Sequence, residues 1–211
     1  KVPDRLTPSQ TIGPFFTLGL TKSESDKTCK SPVSNLITGD GEKISIIGRV
    51  MDGNQEPIHD ALIEIWQSDS SGKFDNPLFV GFARSHSSQY EGQRFLFETI
   101  KPGSNMEHEA PHISVVIYMR GLLTQLYTRI YFSDELESNS TDRVLTKIPP
   151  QRRKTLIAQR RESMGETTYE FNICMQGSQE TVFFHFVISL DFFQSYKKSY
   201  IKKVLIQDLR R

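Results

Sequence analysis

Five histidines, two cysteines and scattered arginines and carboxylates are the side chains with which this 211-residue chain could do chemistry. Holding a metal needs several of them at ligand spacing. His108 stands between Glu107 and Glu109, which could complete a small metal site, but the three lie on a polar loop and read as solvated side chains. His112 falls inside an apolar run, HISVVIYM, where a lone histidine reads as a core residue with one hydrogen bond. His59, His86 and His185 make no cluster. Cys29 and Cys174 lack any CxxC or Cys/His neighbour, so neither suggests zinc. A disulfide between them is one reading; two free thiols in a reducing cytoplasm is the reading adopted. Arginines cluster at Arg152 to Lys154 and at Arg160–Arg161. With a net charge of +1 and no aromatic platform between them, they read as a solvated helix face and not a nucleic-acid site.

The segment Thr7 to Phe16, TPSQTIGPFF, is built to hold one shape. Pro8 and Pro14 fix φ and remove two backbone donors. Gly13 permits backbone angles closed to other residues. Phe15 and Phe16 offer apolar area to bury. Two readings stay open: a strap over its own core, or an edge presented to a partner.

The elements that must position these groups are mostly strands. Ser45–Val50, Ala61–Trp66, Leu78–Ala83, Arg94–Thr99, His112–Met119, Leu126–Phe132, Thr168–Met175 and Glu180–Phe186 are short, β-branched or alternating, with turn signals between them. This predicts an all-β sandwich of about eight or nine strands with long loops. One short helix is expected within Pro150–Arg161, its proline in the first turn. The chain divides into an N-terminal arm and loop (1–44), a β-sandwich (45–186) and a basic amphipathic extension (187–211). That extension reads equally as a packed helix or as a poorly ordered tail. No apolar run approaches the ~20 residues of a membrane span. The first residues lack the apolar core of a signal peptide. A cytoplasmic protein without membrane contact is expected.

Two stretches carry a resemblance. Ile46–Phe74 runs from a strand through a turn to Glu64, Ile65 and Trp66, and ends in Gly72-Lys73-Phe74. Ala110–Phe132 reads APHISVVIYMRGLLTQLYTRIYF. Together with TPSQTIGPFF, Lys101–Gly103 and the QGSQETVFF segment, these resemble the intradiol ring-cleavage dioxygenases, and within them the alpha chains of the two-subunit members that act on protocatechuate. The resemblance covers about residues 7 to 186. Gln55 departs from it, standing where a small residue is usual.

The resemblance implies a ferric iron, Fe(III), held by two tyrosines and two histidines, and cleavage of protocatechuate with O2 to 3-carboxy-cis,cis-muconate. It puts both histidines in a His-x-His pair, whose spacing points them to one face of a strand. Here that place reads His112-Ile113-Ser114, so His112 is a vestigial ligand position and Ser114 replaces the second histidine. Phe74 lacks a ligating hydroxyl, and Lys101–His112 holds no tyrosine. No metal is therefore expected on this chain. The resemblance implies instead that the iron belongs to a beta subunit, and that alpha and beta pack as pairs in a hetero-oligomer. It also implies that Thr11, Gly13 and Pro14 line the substrate site, with Arg129 beside them in a substrate-binding and catalytic role. A guanidinium suits an anionic substrate; the plain alternative for Arg129 is a surface salt bridge of little worth. The rival from another class is a stand-alone, inactive β-sandwich binding module.

Overall fold

The computed structural model describes residues 7–17, 20–21, 33–163 and 165–185. The extension 187–211 and Cys29 lie outside the described residues. Among the described residues, ten strands carry the fold. In chain order they are β1 (Lys43–Gly48), β2 (Val50–Met51), β3 (Leu62–Trp66), β4 (Phe82–His86), β5 (Phe95–Ile100), β6 (His112–Tyr118), β7 (Leu126–Phe132), β8 (Ile157–Ser163), β9 (Glu166–Glu170) and β10 (Ile173–Cys174). The main sheet has the order β4-β3-β6-β7-β8-β9-β1-β5, and β10 pairs with β2 in a small second sheet. The start of β8 pairs in parallel with β7, and its remainder pairs antiparallel with β9. One strand thus joins the two halves of the sandwich, as expected for an all-β architecture.

Alternation along each strand builds the core. Ile44 and Ile46, Phe95 and Phe97, and Ile113, Val115 and Ile117 point inward and are buried. They meet Ile63, Ile65, Ile130, Phe132 and Tyr169 in one cluster. Burying each large side chain contributes roughly 1.5–3 kcal/mol. The free edges, β4 and β5, are bridged by the segment just before β1. The Arg84 amide donates to the Ser34 carbonyl at 3.0 Å, and the Ile37 amide to the Glu98 carbonyl at 2.9 Å. This covers edges that would otherwise invite foreign strands.

The helical reading of Pro150–Arg161 holds only at its start. A helical turn over Pro150–Arg153 passes through a 3-10 turn at Lys154–Leu156 into β8. Pairing with β7 and β9 outweighs local helix preference there. A second short helix, Leu136–Thr141, precedes it. Strand β4 begins at Phe82 and not at Leu78, because Asn76 holds a turn: its Oδ1 accepts the Leu78 amide at 3.0 Å. Residues 180–185 form only an isolated bridge, Phe184 to Tyr127, in place of the expected strand. Among the described residues, no helix is long and apolar enough to cross a membrane.

Candidate functional site

Register decides which side chains meet. Antiparallel pairing sets His112 opposite Tyr131 and Ser114 opposite Arg129, while Trp66 on β3 also pairs with Ser114. Paired residues share a face. His112, Ser114, Arg129, Tyr131 and Trp66 therefore lie on the face opposite Ile113, Val115 and Ile130. Phe74 joins them by stacking on Trp66, with ring centroids 6.1 Å apart and planes within 5°. Gly72 makes that approach possible. At φ 85° it turns the chain against the Ser104 carbonyl, where a β-carbon has no room. Asp69 fixes the same turn, accepting from Ser71, Lys73 and Asn76. Burial alone would raise its pKa, but these donors hold it down at about 2.

The sequence elements expected around one vestigial site are thus brought together, and they form a closed polar network. His112 Nδ1 donates to the Ala110 carbonyl at 2.9 Å, which leaves the ring as the Nδ1–H tautomer. Its ring packs on Tyr131 at 5.6 Å. Burial, reinforced by the Arg129 cation, pushes the His112 pKa down to about 4. The imidazole is neutral at pH 7. Arg129 donates to the Tyr131 hydroxyl at 3.2 Å and lies 3.7 Å from Glu109 Oε1. Tyr131 in turn donates to Asp142 Oδ1 at 3.2 Å. Burial raises the Tyr131 pKa, so this hydroxyl keeps its proton.

Asp142 is fully buried and also accepts from the amides of Ala110, Val144 and Leu145. Glu109, its side chain 4% exposed, takes two hydrogen bonds from Arg143, at 2.9 and 3.2 Å. One carboxylate, Glu109, answers both guanidiniums, Arg129 and Arg143. The reading of Glu109 as a solvated loop residue is therefore corrected. Glu107 and His108 are exposed as expected, but Glu109 turns inward because it directly precedes the buried Ala110 and β6. Its position at the mouth of a buried strand is the sequence cue. Arg129 is correspondingly no surface residue: its side chain is 16% exposed.

These residues do not fit a ferric ion. Ser114 and Phe74 offer no strong donor, Tyr131 keeps its proton, and a guanidinium stands beside the His112 ring. Among the described residues, no three His, Cys, Asp or Glu side chains converge as a metal site.

The N-terminal arm lies elsewhere. Thr11 Oγ1 accepts a hydrogen bond from the Gly121 amide at 2.8 Å, in the turn after β6. The Phe16 amide donates to the Gly13 carbonyl at 3.3 Å, closing a turn with Pro14 inside it. A side chain added to Gly13 would meet nothing within 4 Å, and Phe15 is 75% exposed. Arg84, held by Glu64, donates to the Leu20 carbonyl at 3.3 Å. Gly121 follows the end of β6, whereas Ser114 and Arg129 lie near its start; Ser114 to Tyr118 alone spans about 13 Å of strand. Within this chain, Thr11, Gly13 and Pro14 are not brought together with Arg129. The basic clusters are absorbed locally. Arg152 donates to the Glu180 carbonyl, Arg153 to those of Ile148 and Thr146, and Arg160 to Asp134 and Glu162.

Comparison with known proteins agrees with this fold. A family model described as "Dioxygenase" matches residues 12–177. The chain is 41% identical over 189 residues to a protocatechuate 3,4-dioxygenase alpha chain of Burkholderia cepacia, covering 84% of this chain and 96% of that one. It is also 30% identical over 163 residues to the beta chain from the same organism, covering 67% of each. In fold it matches an intradiol ring-cleavage dioxygenase of Tetranychus urticae with a TM-score of 0.56 and 20% identity, over 81% of this chain and 94% of that one. The chain belongs to the intradiol ring-cleavage dioxygenase family.

Proposed function

We propose that this chain works as the alpha subunit of an intradiol dioxygenase that cleaves protocatechuate with O2 to 3-carboxy-cis,cis-muconate. The observation that supports this reading is a match along most of the chain to alpha chains, joined to the donor set His112, Ser114 and Phe74, which offers one imidazole, one hydroxyl and no phenol on the face where Arg129 lies. A homologous beta subunit would hold the Fe(III), whose chemistry when bound would be activation of the catechol toward O2. That a beta chain is itself a relative supports assembly as alpha–beta pairs.

In this reading the arm, up to residue 44, contacts the beta subunit. Its turn, with Gly13 and Pro14, forms one wall of the substrate pocket, and Thr11 anchors it. The open space around Gly13 and the exposure of Phe15 favour a partner covering this turn. Arg129, which this chain holds apart from that turn, supplies positive charge, steadied by Glu109 and Tyr131, that acts at longer range on the anionic substrate and on the charge that builds during cleavage. The free thiol of Cys174 suits a reducing cytoplasm.

Co-expression with an iron-bearing beta chain tests the reading. A stable hetero-oligomer that consumes O2 with protocatechuate is the expected result. A beta chain equally active in the absence of this chain would overturn it.

A further inference from the structure

The hydroxyl of Thr11 is already engaged within its own chain. Gly121 donates its amide to Thr11 Oγ1 at 2.8 Å across 110 residues of sequence. Gly121 sits at φ 88°, a left-handed angle that aims its N–H out of the β6–β7 turn. The turn is itself fixed. Leu62 pairs with Tyr118, and beyond that pair Asp60 and Arg120 continue the register and form an ion pair, Arg120 Nε donating to Asp60 Oδ2. Asp60 is 10% exposed at its side chain, so this carboxylate is a rigid post. A second fastening lies past the turn, where Arg84 holds the Leu20 carbonyl and Glu64 holds Arg84 through Nε and Nη2, at 2.9 and 2.5 Å.

From this geometry we infer that Thr11 is a positioning residue: it docks the arm on Gly121, so that the Gly13–Phe16 turn stands out from the sheet in one fixed place. The inference rests on the reading of that turn as a wall of the partner's pocket. The two fastenings bracket the turn, and its tip is uncovered: Gly13 faces open space and Phe15 is exposed, while Ile12 and Phe16 on either side are half-buried. Threonine meets the need with a hydroxyl acceptor on a short, stiff side chain. Serine keeps that acceptor. Valine keeps the shape and loses it.

Amide hydrogen exchange at Gly121, measured on the full chain, tests the docking. Thr11→Val should speed exchange at Gly121 about tenfold, and Thr11→Ser should leave it near the parent value. Asp60→Asn, which slackens the turn without touching the arm, should also speed it. Parent-like exchange in Thr11→Val overturns the inference. The same variants in the complex with an iron-bearing beta chain separate docking from the pocket. A raised KM for protocatechuate in Thr11→Val, restored in Thr11→Ser, extends the docking to catalysis. Faster exchange with an unchanged KM upholds the docking and overturns the pocket-wall reading.

Discussion

Ser114 on β6 and Arg129 on β7 face each other in register, one pair along the same face from His112 and Tyr131, so a hydroxyl and a guanidinium stand beside a single histidine. The pairing gives the site a permanent cation of its own. That cation is already met by Glu109 and Tyr131, and it presses on His112.

Replacing Arg129 with methionine should therefore raise the His112 pKa from about 4 toward the ordinary histidine range, because burial is then left as the main cause holding it down. Titration of the ring by NMR on the chain alone measures this. In the alpha–beta complex the same change should lower turnover roughly tenfold or more with iron content intact. Unchanged turnover would return Arg129 to a purely structural role.

The His112 ring also sets a pH window for stability. It is enclosed by the Ala110 carbonyl, Tyr131, Arg129, Glu109 and Asp142. Its folded pKa lies below the unfolded value, so between pH 6.5 and about 4 the unfolded chain binds a proton that the folded chain refuses. Stability should fall as pH drops through that range, by on the order of 3 kcal/mol from this group. Above pH 7 it contributes no pH dependence. Denaturant unfolding of His112→Gln should show a shallower fall across the same interval.

Asp142 is the hub of the network, accepting from the Ala110, Val144 and Leu145 amides and from Tyr131 with no exposure to water. Asp142→Asn keeps the shape but turns one acceptor into a donor facing those groups. The cost should be about 2–4 kcal/mol, read as a lowered midpoint in urea unfolding.

Gly13→Val should behave oppositely in the two settings. The position has open space in this chain, so unfolding of the chain alone should change by no more than about 0.5 kcal/mol. In the complex the added side chain enters the pocket wall and should raise KM severalfold. Equal kinetics would remove the turn from the pocket.

Much of this was legible in the residues. Alternation alone marks β6 and β7, because each strand has one face on the core, and a two-residue period cannot be satisfied otherwise. The loss of metal donors is legible in the same way, at Ser114 and Phe74. Helix and strand were confused at Ile157, where local composition favours a helix and only pairing with β7 and β9, set by distant residues, makes a strand. Glu109 carries one cue, its place just before β6, but its two cations, Arg129 and Arg143, arrive from different elements and leave no local signature. The Thr11–Gly121 contact, 110 residues apart in sequence, has no local signature at all.

The measurement that bears most directly on the central claim is iron content per chain, with and without a beta subunit. Purified alone, this chain should carry no stoichiometric iron and show no tyrosinate-to-iron absorption. Co-purified with beta, the alpha–beta pair should carry one iron and cleave protocatechuate. One iron bound per chain in the absence of beta would contradict the account.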